Sequence, residues 1–324
     1  MNPEIEISVV IPTHNRVTLL KKLLHSIEKS NIPVSIKKII IIENGSHVSE
    51  ELVNSFQESL PIDYQYFERG NKSLALNYTL EGIPENHFVL FFDDDIEVSP
   101  NVFTLYESAV RRIGKGHYFG GPTGVNYEEA PLSELIKYMP DSNRGISQEL
   151  KEAGTSTDET FLGFNWGAFR EDLMKISGFS ELYGPGASSG ARGQETDAQL
   201  RLLDIGVKPI YVPDALVHHW VPKHHLTKEW VMDRLYKSAM RRGKIEGTFI
   251  KKIYWVMMLF KYKLLGVFSD KLELDYLNNV YSGYLEGSKL KNNKSNHSRG
   301  IMVVLFALLF LGSCTIPKEV ASIY

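Results

Sequence analysis

Three consecutive carboxylates, Asp93 to Asp95, directly follow the apolar run V-L-F-F at residues 89–92. Adjacent carboxylates repel by roughly 1 kcal/mol in water and about 4 kcal/mol at the effective dielectric of a protein site, so a strand that ends this way usually holds a cation. Because side chains alternate along a strand, Asp93 and Asp95 are predicted to point together and Asp94 to point away. Two such carboxylates suit Mg²⁺ or Mn²⁺, which complete their shells with water and phosphate oxygens. The alternative is a solvated acidic turn, and a D-x-D pattern alone does not decide between the two.

The elements that must position these carboxylates alternate between strands and helices. Apolar runs predict strands at 5–11, 38–42, 62–67, 88–92 and 208–212, and helical spacing predicts helices over 17–28, 49–59, 73–80 and 198–203. This alternation indicates an α/β fold with a mostly parallel, Rossmann-like central sheet and helices on both faces. Ligands of such sheets bind beyond the carboxyl ends of the strands, where the polar clusters of this sequence lie. Two loops, 141–159 and 184–193, are predicted to act as a lid and a flap.

Composition narrows the class of protein. The chain has 324 residues, 43% of them hydrophobic and 23% charged, which is typical of a globular protein with a sizeable core. A net charge of −3 argues against a protein that coats nucleic acid, so no nucleic-acid partner is expected. The single cysteine, Cys314, excludes an intrachain disulfide framework, and the start M-N-P-E-I lacks the basic region of a secretory signal. We therefore expect a cytoplasmic location.

Six motifs, in this order, resemble glycosyltransferase family 2 over roughly residues 5–245. They are S-V-V-I-P-T-H-N-R (8–16), I-E-N-G-S (42–46), G-N-K-S-L-A-L-N (70–77), F-F-D-D-D (91–95), G-Q-E-T-D (193–197) and A-L-V-H-H (215–219). The resemblance implies a GT-A fold over residues 1–245, an inverting reaction and a nucleotide-sugar donor, with a UDP-sugar favoured. It also implies a metal-dependent enzyme of hexosyltransferase type, acting in surface polysaccharide or glycolipid synthesis on a saccharide or lipid-linked acceptor.

The resemblance also assigns the residues that meet the nucleotide. They are Pro12, Thr13, Asn15, Arg16, Glu43, Asn71, Lys72, Asp93 and Asp94. Glu43 stands where the family usually has an aspartate facing the base or ribose, and Lys72 can approach phosphate as a point charge. Asp94 is among these residues, although its side chain is predicted to point away from Asp93 and Asp95, which favours a structural role.

Metal and proton transfer involve a second group of residues in this resemblance. Asp95 is the main candidate for direct contact with Mn²⁺ or Mg²⁺, Asp93 is a second, and His219 stands where related transferases supply a third ligand, with His218 as the fallback. Family members often read G-E-D-x-D where this chain reads G-Q-E-T-D, so Glu195 takes the position of the catalytic base. Asp197 is the second choice for that role.

An aromatic segment completes the predicted site. Trp166, with Asn165 and Phe164, is predicted to form a platform for the sugar or acceptor, although a core aromatic is an equal alternative. A sugar-1-phosphate nucleotidyltransferase shares the scaffold, but P-T-H-N-R lacks the glycine-rich triphosphate loop of that class. A binding module that has lost transfer is a third reading, favoured only by the departure at Gln194-Glu195.

The C-terminal part is predicted to be a helical extension over 246–324 that contacts a membrane. Residues 223–252 carry nine Lys or Arg against three acids, which fits an anionic bilayer or a lipid phosphate. The segment 253–268 is apolar but interrupted by lysines, which is typical of an interfacial helix. The eleven apolar residues of 301–311 are too few to cross a bilayer, and the polar segment 288–298 is their linker. We expect the protein at the inner face of the plasma membrane.

Overall fold

The computed structural model describes residues 5–145, 160–187, 193–246, 254, 256–257 and 271–290. These residues fall into two compact units. The first takes the described residues of Met1–Asn126 and Asp141–Val221, and the second takes those of Tyr127–Pro140 and Pro222–Tyr324. The predicted boundary after residue 245 lies at the end of a long helix, Lys228–Glu246. The two units instead divide after Val221, before that helix begins.

The strands of the described chain are β1 (Ile7–Thr13), β2 (Ile36–Asn44), β3 (Ile62–Phe67), β4 (Phe88–Phe92), β5 (Ile96–Val98), β6 (His117–Gly120), β7 (Thr123–Tyr127), β8 (Asn165–Phe169), β9 (Lys208–Tyr211) and β10 (Val217–Val221). Its helices are α1 (Val17–Glu28), α2 (Glu50–Asn54), α3 (Lys72–Gly82), α4 (Val102–Ile113), α5 (Ser133–Ile136), α6 (Asp141–Arg144), α7 (Arg170–Lys175), α8 (Gln194–Asp204), α9 (Lys228–Glu246) and α10 (Lys271–Leu290), with a 3₁₀ turn at Lys223–Leu226.

Seven strands form the main sheet of the first unit, in the order β3-β2-β1-β4-β8-β6-β9. Neighbouring strands pair in parallel except at β8, which runs antiparallel to β4 and β6. Strand β1 is buried along its whole length, as expected for a parallel strand covered on both faces. The predicted mostly parallel sheet is confirmed.

Helices cover both faces of this sheet. Helix α1 buries Leu20, Leu23, Leu24 and Ile27, one apolar stripe at helical spacing, in the core on one face. Helices α3 and α8 contribute to a second core on the other face. Because the strands between these two cores end at the same edge, the loops that follow β1, β2 and β4 are brought together there.

Helix α2 is shorter than predicted. The sequence predicts a helix over 49–59, but α2 ends at Asn54 and tight turns follow. In these turns the Ser55 and Ser59 hydroxyls donate to the carbonyl oxygens of Leu52 and Phe56. Serine hydroxyls that bond to nearby backbone in this way compete with regular helix, and a count of apolar spacing does not register them.

The second unit is built on the helix pair α9 and α10. Two glycines lie where the helices touch: Gly243 packs on the Tyr284 carbonyl and Gly283 on the Tyr236 carbonyl, each too closely for a Cβ. Lys228 Nζ forms an ion pair of 2.5 Å with Asp275. The described residues therefore confirm a helical C-terminal region.

Most of the segments predicted to contact a membrane are not among the described residues. The interfacial helix at 253–268, the linker at 288–298 and the apolar segment at 301–311 lie almost entirely outside the described residues. So does most of the predicted lid at 141–159. Among the residues that the structure describes, no helix has both the length and the apolar character needed to cross a bilayer.

Candidate active site

The three carboxylates lie in the turn between β4 and β5. Strand β4 ends at Phe92, one residue before Asp93. Strand alternation therefore does not extend through the carboxylates, and the reason given for pairing Asp93 with Asp95 is wrong. Each carboxylate instead has its own set of polar partners.

Asp94 holds the turn to the end of β1. It is 4% exposed and accepts hydrogen bonds from Thr13 Oγ1 at 2.8 Å and from Arg16 Nη1 at 3.0 Å. Burial, together with the charge of Asp95, raises the pKa of Asp94 against the opposing effect of Arg16. Thr13 and Asp94 thus satisfy each other, which agrees with the structural role expected for Asp94.

Asp95 faces a histidine and an arginine. Its Oδ2 is 2.7 Å from Arg16 Nη1 and 3.8 Å from His219 Nε2. Burial acts to raise the pKa of Asp95, but His219 and Arg16 prevail and lower it to about 2. Asp95 is therefore the most firmly ionised of the three carboxylates, as a metal ligand needs to be.

The orientation of His219 follows from β10. This strand pairs antiparallel with β5, so that His219 lies opposite Ile96, the residue after Asp95. Its Nδ1 is 3.0 Å from the Ser142 carbonyl oxygen, and its ring stacks on Phe164 at 5.0 Å. A donor N–H on Nδ1 leaves Nε2 on the Asp95 side, the arrangement that metal-ligating histidines commonly show.

Asp93 is joined to the candidate base by a lysine. Lys72 Nζ is 2.6 Å from Asp93 Oδ1 and 2.7 Å from Glu195 Oε1. Burial and the charges of Glu195 and Asp95 raise the pKa of Asp93 to about 6, although Lys72 acts to lower it. Glu195 Oε1 also accepts from Gln194 Nε2 at 2.6 Å. One ammonium therefore links two carboxylates that the sequence separates by a hundred residues.

Helix α3 delivers Lys72 from its first residue. Asn71 is the N-cap, and its Oδ1 accepts from the Leu74 N–H at 3.0 Å. The Lys72 N–H donates to the Pro185 carbonyl at 3.1 Å, and Ser73 Oγ donates to the Tyr183 carbonyl at 2.8 Å. Oδ1 of Asn71 is thus used at the helix start, and the predicted contact of Asn71 with the nucleotide stays a prediction.

Asp197, the second candidate base, is held by its own helix. Its Oδ2 lies 2.9 Å from Nε of Arg201, one turn later. The same guanidinium donates to the carbonyl oxygens of Ile176 and Gly178. Since Asp197 serves an arginine that ties α8 to the end of α7, the geometry favours Glu195 over it.

Glu43 organises the loop after β2. It is fully buried, and its carboxylate accepts from Tyr64 Oη at 2.7 Å, Ser46 Oγ at 2.8 Å and the Ser49 and Val48 N–H groups. Burial acts to raise its pKa, but these hydrogen bonds prevail and lower it. All of its acceptor capacity is used, so the predicted contact with the base or ribose is corrected to a structural role.

Glu43→Gln should destabilise the fold near neutral pH. The new amide would turn an N–H toward buried donors, a loss of about 1–3 kcal/mol. Because the pKa of Glu43 is lowered by folding, its contribution is full above the unfolded pKa and is lost as pH falls through the folded one. Denaturant unfolding should therefore show a difference near pH 7 that shrinks near pH 3. Glu58→Gln, at an exposed glutamate, is the control; an equal difference at both pH values would contradict the assignment.

The predicted aromatic platform is wrong. Trp166 and Asn165 are both 0% exposed. Trp166 packs against Phe91 at 5.1 Å in the core beneath the site, and the Asn165 amide donates to the Pro122 and Ala215 carbonyls. Both residues belong to β8, an inner strand of the main sheet whose five residues are all buried.

Trp166→Phe tests this correction. The indole Nε1 is buried and has no hydrogen-bond partner in the described structure, so its removal leaves no group unsatisfied. We expect a loss of about 1 kcal/mol in unfolding free energy and unchanged Michaelis constants. An increase in the Michaelis constant of an acceptor would support the predicted platform and contradict a core role for Trp166.

Three features of the site were not predicted from the sequence. The Ser142 carbonyl and the Phe164 ring orient His219, Gln194 bonds to Glu195, and Gly163 approaches Glu195 so closely that a Cβ would lie 2.6 Å from its Cδ. A backbone carbonyl carries no sequence signal, and one glycine among 25 is not distinctive. The other predicted nucleotide residues differ in access: Pro12 is buried, whereas Asn15 and Arg16 are exposed.

A mostly parallel central sheet flanked by helices is the architecture of GT-A glycosyltransferases. Two solved structures share the fold. GalNAc-T7, solved with UDP, GalNAc and Mn²⁺, has a TM-score of 0.52 and 15% identity, over 75% of this chain and 51% of that one. The mannosyltransferase PcManGT from Pyrobaculum calidifontis, solved with GDP-Man and Mn²⁺, has a TM-score of 0.51 and 16% identity, over 98% of this chain and 78% of that one.

The chain belongs to glycosyl transferase family 2, whose model matches residues 8–177. A curated relative is the GalNAc(5)-diNAcBac-PP-undecaprenol beta-1,3-glucosyltransferase of Campylobacter jejuni, 30% identical over 190 residues. The match covers 55% of this chain and 56% of the relative, so the chain spans about half the length of that protein.

Proposed function

We propose that this protein transfers a hexose from a nucleotide sugar to an acceptor hydroxyl with inversion of configuration. The observation that carries the proposal is the line Asp93–Lys72–Glu195, in which one ammonium separates a carboxylate of the acidic turn from a carboxylate free of that turn. Inverting transfer needs such a division, because the acceptor attacks the anomeric carbon from the side opposite the departing diphosphate.

Glu195 is the proposed base. The acceptor O–H gives its proton to the Glu195 carboxylate while the acceptor oxygen attacks the anomeric carbon. The bond from that carbon to the diphosphate oxygen breaks, and its electrons leave with the nucleoside diphosphate. Lys72 Nζ lies 2.7 Å from Glu195 Oε1, and Gln194 Nε2 donates to the same oxygen at 2.6 Å, so the Glu195 side chain is held in place.

Two cations are available to the departing diphosphate. Arg16 has a half-exposed side chain, and Lys72 is directed into the site. Both have a pKa raised above the ordinary value, because the neighbouring carboxylates outweigh burial. Both therefore stay charged when a donor arrives and can exchange a carboxylate for phosphate oxygens.

A divalent cation fits between Asp95 and His219. The donor set is one carboxylate and one imidazole, and no cluster of three or more acidic, histidine or cysteine side chains converges in the described residues. Two protein ligands suit an ion that takes its remaining ligands from diphosphate and water, and the nitrogen ligand favours Mn²⁺ over Mg²⁺. When bound, the ion would act as a Lewis acid on the diphosphate oxygens.

The partners follow from the relatives. The structure solved with UDP supports a UDP-sugar as the first donor to test. The relative named for an undecaprenol-linked glycan supports a lipid-linked saccharide as acceptor, in surface polysaccharide or glycolipid synthesis. We place the protein in the cytoplasm at the inner face of the plasma membrane, where such an acceptor is reached, and assign it no nucleic-acid partner.

A screen of nucleotide-sugar donors tests the proposal. The full chain is incubated with UDP-, GDP- and dTDP-sugars in the presence of Mn²⁺, Mg²⁺ or a chelator, and nucleotide release is measured. We expect release from one nucleotide class, fastest with Mn²⁺ and abolished by chelator. Release that chelator does not affect would refute the metal assignment, and no release from any donor would refute the transferase.

A further inference from the structure

A pocket of about 330 Å³ lies at the start of α3, the helix that carries Lys72. Two segments of the first unit line it: the start of α3, with Arg69, Asn71 and Leu74, and the loop before α8, with Glu181, Leu182 and Gly186. We call it the side pocket. Its volume falls in the range of small-molecule sites, roughly 300–1,000 Å³.

The two walls of the side pocket are connected to each other and, through Lys72, to the candidate base. Asn71, in one wall, directly precedes Lys72, whose Nζ is 2.7 Å from Glu195 Oε1. The Lys72 N–H donates to the carbonyl oxygen of Pro185, which directly precedes Gly186 in the other wall. The residues that form the side pocket therefore adjoin, along the chain, a residue that contacts the proton acceptor.

The shape of the side pocket is set by glycines. A Cβ on Gly186 would lie 1.7 Å from the Gly70 carbonyl oxygen, and one on Gly45 would lie 2.7 Å from the Gly70 Cα. Gly186 and Gly45 also have φ of +80° and +71°, which other residues rarely adopt. The two walls can approach this closely only because these positions lack side chains.

The charges of the side pocket balance. Arg69 and Glu181 are exposed, and within the described part of the chain neither side chain has an ion-pair or hydrogen-bond partner. A guanidinium offers donors and a carboxylate offers acceptors, so together they match the hydroxyl groups of a neutral sugar. A diphosphate would be repelled by Glu181 at this short range, which argues against the anionic part of a donor or lipid carrier.

An apolar surface completes the lining. The Leu182 side chain is 62% exposed at the rim, and Leu74 lies in the wall beside it. Covering an exposed leucine with the C–H face of a sugar ring removes apolar surface from water, which favours binding. The pocket thus offers polar groups to the hydroxyl groups of a pyranose and an adjoining apolar patch to its C–H face.

We infer that the side pocket, at the start of the helix that carries Lys72, binds the neutral sugar of the acceptor. This inference rests on the proposed function, because it supplies the acceptor that the transfer requires. The anionic part of a lipid-linked acceptor would then lie outside the side pocket.

Binding of octyl glycosides tests the inference without turnover. The octyl glycosides of glucose, galactose, N-acetylglucosamine and N-acetylgalactosamine are presented to the full chain, and binding is followed by ligand-observed NMR. We expect at least one to bind, and Arg69→Met and Glu181→Gln each to weaken it roughly tenfold or more, as for loss of one charged hydrogen bond. Arg112→Met and Glu58→Gln, at exposed side chains elsewhere, should change nothing.

UDP binding to the same variants separates the possible occupants. A sugar pocket predicts unchanged UDP affinity in Arg69→Met and Glu181→Gln. Weaker UDP binding in the first and tighter binding in the second would assign the side pocket to the diphosphate and overturn the inference, as would a parent protein that binds no glycoside. Nucleotide release from the donor screen is read independently: glycoside binding without release would refute the transferase and leave the side pocket a sugar site.

Discussion

Glu195→Gln is expected to lower kcat by about 10²–10⁴-fold, the usual contribution of a general base, and to leave donor binding intact. The amide keeps the shape of the side chain and can still accept from Lys72 Nζ, which lies 2.7 Å from Oε1 in the parent. It cannot take a proton from an acceptor hydroxyl. The measurement is steady-state transfer at saturating donor, beside calorimetric binding of UDP with Mn²⁺.

Asp197→Asn is the matched control for this variant. Asp197 is a carboxylate of the same helix turn, but it serves Arg201, and a partly exposed pair of this kind contributes about 0.2–1 kcal/mol. We expect transfer close to that of the parent. Full turnover in Glu195→Gln would remove Glu195 from the mechanism, and loss of turnover in Asp197→Asn alone would transfer the role to Asp197.

Asp95→Asn is expected to abolish the effect of Mn²⁺ on nucleotide binding. Asp95 is the carboxylate nearest His219, and its pKa of about 2 keeps it ionised at any working pH. A neutral amide is a much weaker ligand, so the loss should exceed the about 10–100-fold that follows from disturbing an outer-shell partner. UDP titrations of parent and variant with Mn²⁺ and with chelator measure it.

Asp94→Asn provides the comparison one residue away. Asp94 is 4% exposed and bonded to Thr13 and Arg16, so its amide should lower stability and preserve the response to Mn²⁺. His219→Gln should weaken that response as Asp95→Asn does. An Asp95→Asn protein whose UDP affinity still rises with Mn²⁺ would exclude the acidic turn from metal binding.

Much of the fold was predictable because it depends on local pattern. Strands β3 and β4 and helix α1 begin and end at the predicted residues. Strand β4 is a continuous apolar run, and α1 carries one apolar stripe of three leucines and an isoleucine, so each pattern indicates its element directly. Helix α2 was predicted too long because serine hydroxyls terminate it by bonds to nearby backbone. The antiparallel strand β8 depends on pairing with strands distant in sequence, which no local pattern encodes.

The site was predictable in its elements and less so in its contacts. The loops that carry Arg16, Lys72 and the acidic turn meet because parallel strands end at one edge. The contacts within the fold decide which side chains remain available there. Glu43 accepts hydrogen bonds from donors of its own loop, Oδ1 of Asn71 caps a helix, and Trp166 packs in the core, although all three residue types suit ligands. Sequence types state what a side chain can do, and three-dimensional neighbours decide whether it is free to do it.

The close approach of Gly45, Gly70 and Gly186 makes three loops mechanically interdependent. The loop after β2 and the loop before α8 contact Gly70 of the loop before α3 through Gly45 and Gly186, where no Cβ fits, so neither of these two loops can take a side chain there alone. A chimaera that borrows a new specificity loop from a related transferase must carry all three segments together. In engineering terms, these loops form a single transplantable cassette.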